Sequence, residues 1–421
     1  MLKMKKYILI FVALISTSLF AENFNVSAPI DISLATGINS HIVTDSTGRY
    51  VFAIWEEGIE VNTATSNDFG LSWSNSITIS SVGVLPQIVA NGTGEYVFGI
   101  WEGATRIETA RSTNFGQTWE SLITISQAPG DDPQIVTDSS GMFVFAVWKD
   151  TGGLIHTTRS ANFGQTWSAP STAISQAIGT TPQIADDNTG RYVFAVWRDT
   201  GGLIHTTRSA NFGQTWSAPS TAISQAIGTT PQIAADSTGE HVFAVWQDTG
   251  GLIHTTRSAN FGQTWSATST PISQAAGLIP QIVTNSTGRY VFAIWQDTGS
   301  DTFIHTARSI DFGQTWSAPS TPISQGAGTL PHIVTDNSGK YVFAIWQDTG
   351  TSFIHMARSE DFGLTWNSPS TVISQAGGTL PQIATDSTGR YVFPIWQGLD
   401  ILTAPGIRTF FPLTRLSSKY F

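Results

Sequence analysis

"SANFGQTW" stands at 160–167, 209–216 and 258–265 of this chain, and four variants of it stand at 66–73, 112–119, 309–316 and 359–366. From the serine that opens each copy to the next, the spacings are 46, 48, 49, 49, 51 and 50 residues. The flanking sequence repeats with it, since residues 150–185 and 199–234 are the same 36 letters. Self-similarity at a period of about 50 residues marks an array of small units, each of which must bury its apolar faces against its neighbours.

Every unit offers four strand-like pieces. "PQIVTD" (133–138) runs into a turn such as "DSTG", where an Asp or Ser side chain bonds the backbone two residues on and Gly supplies the left-handed conformation. "YVFAVW" (192–197) is apolar on both faces, as a strand buried between two layers must be. "LIHTTRS" (203–209) alternates bulky and polar letters, and "STAIS" (220–224) follows the repeated phrase. Four short strands with turns between them are a β-propeller blade, so the expected fold is all-β: a propeller of four-stranded antiparallel blades. Composition agrees: 39 Gly, 15 Trp and 24 Phe against only 12% charged residues favour strands and turns over helices.

The first strand recurs eight times, starting near Ser40, Pro86, Pro133, Pro182, Pro231, Pro280, Pro331 and Pro381. The second also recurs eight times, and its copies end at Trp55, Trp101, Trp148, Trp197, Trp246, Trp295, Trp346 and Trp396. The last unit lacks a fourth strand, but "VSAPIDIS" (26–33) parallels "WSAPSTAIS" (167–175). Pairing that N-terminal strand with the C-terminal blade closes the ring and removes both open sheet edges, which predicts eight blades. Seven is the alternative if the two chain ends do not pair. On this reading residues 22–405 form one propeller domain and 406–421 a divergent C-terminal tail.

Residues 1–21 read as a secretory signal peptide. Lys3, Lys5 and Lys6 precede an apolar run from Tyr7 to Phe20, and Ala21 stands before the expected cut at Glu22. The apolar run is short for a membrane anchor, so an exported protein without a stable membrane span is expected. The formal charge of −10 offers no basic stripe for nucleic acid. The chain has no Cys, hence no disulfide framework and no thiolate metal site. No cofactor and a monomeric state are expected.

In the repeated phrase, each fixed letter has a mechanical use. Its acidic position holds Asp68, Asn114, Asn162, Asn211, Asn260, Asp311 and Asp361. Asn keeps the hydrogen-bonding geometry of Asp and gives up the charge, so this position is structural and not a general acid or nucleophile. The following Gly permits a positive φ, Ser or Thr braces the turn, and Trp buries a large surface where the chain re-enters the sheet. The phrase resembles the Asp-box, or BNR repeat, of sialidases and many non-sialidase propellers. That resemblance covers nearly the whole mature chain. It implies a turn between third and fourth strands, on the face opposite a sialidase active site.

A sialidase of that family needs three arginines to clamp a carboxylate, a Tyr nucleophile activated by Glu, and an Asp acid/base. Here six of the eight Tyr residues occupy one repeated position opening the second strand, and most Arg residues are repeat letters. No catalytic residue is therefore assigned. His156, His205, His254, His305 and His355 recur once per blade in the third strand, too far apart to share a metal ion. The face away from the boxes carries the "DTG" turns, with Asp150, Asp199, Asp248, Asp297 and Asp348, and the blade connections, with Gln127, Gln176, Gln225, Gln274, Gln325 and Gln375. Those five Asp residues and Arg198 are the expected binding set, for a glycan or protein ligand held through repeated weak contacts. The alternative is a sialidase-like hydrolase built from the divergent first blades, with Glu57, Glu102, Arg106, Asp131 and Asp132.

Overall fold

Val193, Phe194, Ala195, Val196 and Trp197, the body of one second strand, are each at most 2% exposed. Such burial requires cover on both faces, and neighbouring blades supply it. Phe145 and Val147 of the third blade share one apolar cluster with Val193, Ala195 and Trp197 of the fourth. Clusters of the same composition join each blade to the next, and one joins Phe393 and Ile395 of the last blade to Val51, Ala53 and Trp55 of the first. An aromatic side chain buries about 150–250 Å², so each sandwiched Trp gains on the order of 5 kcal/mol before entropy is counted.

The computed structural model describes residues 20–33, 35–169, 173–220, 222–267, 271–299, 302–319, 322–368 and 370–412. The signal-peptide reading of 1–21 lies outside these residues except at 20 and 21. Within them are eight antiparallel sheets and no helix. The fold is all-β, as the strand pattern predicts. The inner strands, in chain order, are Ile38–Thr44, Val84–Ala90, Gly130–Thr137, Gly179–Asp186, Gly228–Ala235, Gly277–Thr284, Gly328–Thr335 and Thr379–Thr385; they number blades 1 to 8. In blade 4 the inner strand pairs with Val193–Asp199, which pairs in turn with Ile204–Ser209.

A second circuit runs through the first hairpins. Ser46 N–H donates to Gly92 O at 3.0 Å, Gly92 to Ser139 at 2.9 Å, Ser139 to Asn188 at 3.0 Å and Asn188 to Ser237 at 3.1 Å. Ser237 then donates to Ser286, Ser286 to Asn337, Asn337 to Ser387, and Ser387 back to Ser46 at 3.0 Å. Eight bonds thus leave the first blade and return to it.

The chain ends meet in the last sheet. Ile30–Asp31 pairs with Leu402 and Thr403, so the N-terminal segment takes the fourth-strand place. Ile401 N–H donates to Ser33 Oγ at 2.9 Å, as Ile155 N–H does to Ser175 Oγ in blade 3. Two features depart from the expected layout. The sheet does not stop at 405: Gly406–Pro412 is a strand paired with Phe20–Val26 and with the start of Tyr391–Gln397. The expected cut at Glu22 falls inside the N-terminal strand and leaves Glu22–Val26 paired with Gly406–Phe410. The stretch expected to be a tail is therefore, up to Pro412, part of the domain.

Four-stranded blades are the second departure. Blades 1, 2 and 7 have them, but blades 3 to 6 have three-stranded sheets among the described residues. In blades 3 to 6 the fourth-strand place includes 170–172, 221, 268–270 and 320–321, which lie outside the described residues. In blade 4 the outward N–H groups of the third strand, on Ile204, Thr206 and Arg208, donate to Ser224, Ser220 and Ser217 Oγ at 2.9, 3.0 and 3.2 Å. Serine side chains accept these bonds in place of backbone carbonyls, as Ser126 and Ser374 do for Ile107 and Ile354 in the four-stranded blades 2 and 7.

Arg408, from the same C-terminal strand, completes the ring. In other blades the box Phe donates its N–H to the residue after the first hairpin's Gly, and its ring stacks on an aromatic of the preceding blade. Phe115 bonds Glu95 O and stacks on Tyr50 at 4.4 Å; Phe163 stacks on Tyr96 at 4.5 Å. Blade 8 has no box. There Arg408 N–H donates to Arg390 O at 2.9 Å, and its guanidinium lies 3.3 Å from the centroid of Tyr341. Arg408 is 5% exposed and also donates to Thr388 O. Truncating a buried cation with those contacts removes a cation–π contact and strands its partners, so Arg408→Ala is expected to cost about 2–4 kcal/mol. Calorimetry of the folded chain checks this; an unchanged unfolding midpoint would show that the contact contributes nothing.

Candidate functional site

At one end of the propeller each box forms a closed clasp. Ser160 Oγ donates to Asn162 Oδ1 at 3.0 Å and accepts from Gly164 N–H at 2.9 Å, while Asn162 Oδ1 accepts from Thr166 N–H at 3.0 Å. Phe163 adopts φ 58° and Gly164 φ 72°. A left-handed Phe is unusual outside Gly, and the stack on the preceding blade holds it there. The Asp and Asn versions differ only in one proton's direction. Asn162 Nδ2 donates to Thr166 Oγ1 at 2.9 Å, whereas Thr315 Oγ1 donates to Asp311 Oδ2 at 2.6 Å. Burial opposes ionisation of Asp68, Asp311 and Asp361, yet the hydroxyl and N–H donors of the clasp hold each below the ordinary carboxylate value. All seven positions, Asp68, Asn114, Asn162, Asn211, Asn260, Asp311 and Asp361, form this clasp.

The opposite end carries the "DTG" turns, and there the expected ligand-binding carboxylates are already partnered. Asp150 Oδ1 accepts from Leu154 N–H at 2.8 Å, and Oδ2 meets His156 Nε2 at 2.9 Å. Asp199 and Asp248 repeat both contacts with His205 and His254, and Asp297 lies 3.6 Å from His305. Asp348 instead accepts from Thr351 N–H and Oγ1. Each His stacks on the Trp that ends the second strand, as His156 does on Trp148 at 6.0 Å. In Asp150/His156, Asp199/His205 and Asp248/His254 a spacing of six residues across a hairpin carries that pairing in the sequence.

The units diverge in charge at the position after that Trp, which reads Glu56, Glu102, Lys149, Arg198, Gln247, Gln296, Gln347 and Gln397 around the ring. Blades 1 to 4 are charged there and blades 5 to 8 carry amides. The amides knit blades together, for Thr329 Oγ1 donates to Gln296 Oε1 and Thr379 Oγ1 to Gln347 Oε1, at 2.8 and 3.1 Å. Glu56 is buried and accepts from Asn39 Nδ2 at 3.0 Å. Arg198 has a buried Nε with no partner among the described residues. Glu57 accepts from Trp55 Nε1 at 3.2 Å, and Arg106 sits in the blade 2 turn with no ion pair among the described residues.

Glu102, Asp131 and Asp132 do come together. Lys149 Nζ lies 3.0 Å from Asp131 and 3.9 Å from Asp132. Burial, and then the charges of Asp131 and Asp132, raise Glu102 above the usual carboxylate value, with Lys149 opposing. Asp132 adopts φ 52° at the bulge that begins its inner strand. Every inner strand places one non-Gly residue at this left-handed position, among them Asn39, Leu85, Thr181 and Leu380.

The central channel holds three titratable groups that the sequence pattern alone did not flag. A cavity of about 380 Å³ is walled by inner strands of blades 1, 6, 7 and 8, with Thr44, Thr284, Thr335 and Thr385 at one level. Those hydroxyls donate to the carbonyls of Tyr50, Tyr290, Tyr341 and Tyr391. Asp186 occupies that level in blade 4, directly after the 36-letter duplication ends, where blade 5 has Ala235. Its Oδ2 is buried without a partner among the described residues. Burial first, and then Asp187 and Asp138, raise it well above 3.8. His41 and His332 stand where the other six units have Gln, and burial lowers each to about 4. Among the described residues no group of three His, Cys, Asp or Glu side chains is arranged to hold a metal ion.

No family model matches this chain, and no curated protein matches it. Among solved structures, an ulvan lyase described as a new family of polysaccharide lyase is similar, with a TM-score of 0.53 at 10% identity over 84% of this chain and 96% of that one. YCF48 from Cyanidioschyzon merolae reaches 0.50 at 15% identity over 79% and 99% of the two chains. A prolyl endopeptidase reaches 0.54 at 8% identity, over 86% of this chain and 54% of that one. Likeness at such identities bears on the fold alone, and it supports a β-propeller.

The channel groups set opposite pH dependences. Asp186 is raised on folding, so its contribution is full below its unfolded value of 3.8 and is lost as pH rises through the folded value. Asp186→Thr, the residue of blades 1, 3, 6, 7 and 8, is therefore expected to raise the unfolding midpoint at pH 7, with the gain vanishing toward pH 4. A midpoint unchanged at pH 7 would contradict the buried-charge assignment. His41 and His332 are lowered, so their contribution is present above 6.5 and is lost as pH falls through about 4. The double variant H41Q/H332Q is expected to match the parent at pH 8 and to outlast it at pH 4.5 in acid-unfolding titrations; equal acid midpoints would count against it.

Proposed function

We propose that this chain is an exported Asp-box propeller that binds glycans without turning them over. The observation that carries the reading is the commitment of the repeated carboxylates: Asp150, Asp199 and Asp248 each bond a turn N–H and a His of the same blade. Groups fixed in near-identical copies do not assemble the asymmetric set that hydrolysis needs. Near-identical blades do suit repeated weak contacts with a repeating polymer, whose affinities multiply when several engage together. Arg198, whose Nε is buried with no partner among the described residues, is the polar group expected to add a contact at this end.

A hydrolase of sialidase type is the second reading, and one observation favours it. Burial and the charges of Asp131 and Asp132 raise Glu102 above the usual carboxylate value, the direction a general acid needs, with Lys149 opposing. The two readings separate in one pair of assays. A glycan array is expected to return binding, and fluorogenic sialosides and polysaccharides are expected to remain intact. Turnover abolished by Glu102→Gln would decide for the hydrolase, and an empty array would remove the glycan-binding reading. Export is checked by sequencing the N-terminus of the protein recovered outside the cytoplasm, expected at Glu22.

A further inference from the structure

We infer that the glycan contacts lie at the outer rim, in grooves between blades 3/4, 4/5 and 5/6, and that each takes part of an uncharged oligosaccharide. The inference rests on the glycan-binding reading and gives it a place and a ligand class. The first groove, about 450 Å³, runs between Ile174 and Gln176 of blade 3 and Gln214, Thr215, Trp216 and Ser217 of blade 4. Its equivalents, about 380 and 550 Å³, are formed around Trp265 and Trp316. These volumes fall in the range of small-molecule sites. The grooves lie along the blades whose outer segment is not a regular strand among the described residues.

The polar part of the lining is amide, hydroxyl and indole among aliphatic residues such as Ile174 and Pro219, with no ionisable side chain among the described residues of the three. Such a surface suits a neutral, hydroxyl-rich ligand: amides and hydroxyls both donate and accept, and an indole offers a flat apolar face. A carboxylated sugar would call for a guanidinium or ammonium, which the lining does not provide.

Two independent observations indicate unmet hydrogen-bonding capacity. Trp316 Nε1 is buried with no partner among the described residues, a state shared by the box residues Trp73, Trp119, Trp167 and Trp366, and indole N–H groups in that state call for an acceptor. The amides supply the second. At the 6/7 interface Gln325 Oε1 accepts from Ser370 N–H and Oγ at 3.0 and 2.9 Å, bridging the blades. Gln176, Gln225 and Gln274, at the same place in blades 3, 4 and 5, have no protein partner among the described residues and are exposed. A sugar hydroxyl in the groove would take the place that Ser370 holds for Gln325.

An extended peptide is the competing occupant, because a three-stranded sheet invites a fourth strand. In blade 4 that route is closed, since Ile204, Thr206 and Arg208 N–H already donate to serine hydroxyls. The saccharide assignment is therefore the one the geometry favours.

The test is calorimetric titration of the mature chain with neutral hexaoses (xylan-, cellulose-, mannan- and laminarin-derived) and with oligogalacturonate and sialyllactose as acidic probes. Binding of a neutral hexaose is expected, weakened about tenfold or more by the triple variant Q176A/Q225A/Q274A. Those residues are exposed, so the variant is expected to keep the parent's unfolding midpoint. Trp316→Phe, which keeps an aromatic side chain and removes the unpartnered indole N–H, serves as a second variant and is expected to weaken binding as well. Undiminished binding by the Gln triple places the ligand elsewhere and overturns the inference while leaving glycan binding intact. Preference for the acidic probes overturns the ligand class. Binding of no sugar at all overturns both readings. Peptides selected by display and lost on the Gln triple, with no sugar bound, reassign the grooves to peptide.

Discussion

The carbonyl of Gly92 accepts a backbone hydrogen bond from Ser46, and the same bond is made eight times until Ser387 donates back to Ser46. Because the circuit is closed, no blade can tilt without lengthening a bond at both its sides. The apolar clusters impose the same condition on packing. Trp197 belongs to blade 4, but its cover is Phe145 and Val147 of blade 3. A single blade therefore has no core of its own, and stability is a property of the ring. The box follows from this constraint: it fixes the last turn of a blade and presents Phe to the blade before. In blade 8, which has no box, Arg408 takes over both the backbone bond and the aromatic contact.

Much of this was legible in the sequence, because each repeated letter answers to one contact. The period gave the units, the apolar second strand gave the doubly covered layer, and "VSAPIDIS" matched the missing fourth strand that Ile30–Asp31 occupies. Three features were not legible, each for a physical reason. Gly406–Pro412 carries no repeat letters, so nothing local marks it as the partner of Phe20–Val26. "STAIS" has strand-like composition, but its serines reach the neighbouring strand through side chains, which a pattern of apolar letters does not register. The grooves exist only where one blade's outer segment meets the next blade's box, so no stretch of sequence contains them.

The same comparison limits where function can lie. Asp150 and its equivalents looked available as a ring of carboxylates, but turn N–H groups and His side chains already hold them. What varies is the residue after the second-strand Trp, charged in blades 1 to 4 and amide in blades 5 to 8, together with Asp186 in the channel. What repeats without a protein partner among the described residues is the rim amide of Gln176, Gln225 and Gln274. Divergence around the mouth and open capacity along the rim are separate properties of one scaffold, and only the second is multivalent.

Closure of the ring is measured most directly by amide hydrogen exchange at Ser46, Gly92, Ser139, Asn188, Ser237, Ser286, Asn337 and Ser387. These amides sit in surface hairpins, where unbonded groups exchange freely, so protection reports the bond itself. A closed circuit predicts that all eight are protected and exchange together, with the free energy of global unfolding. Fast exchange at Ser387 while the other seven stay protected would show a ring open between the last blade and the first.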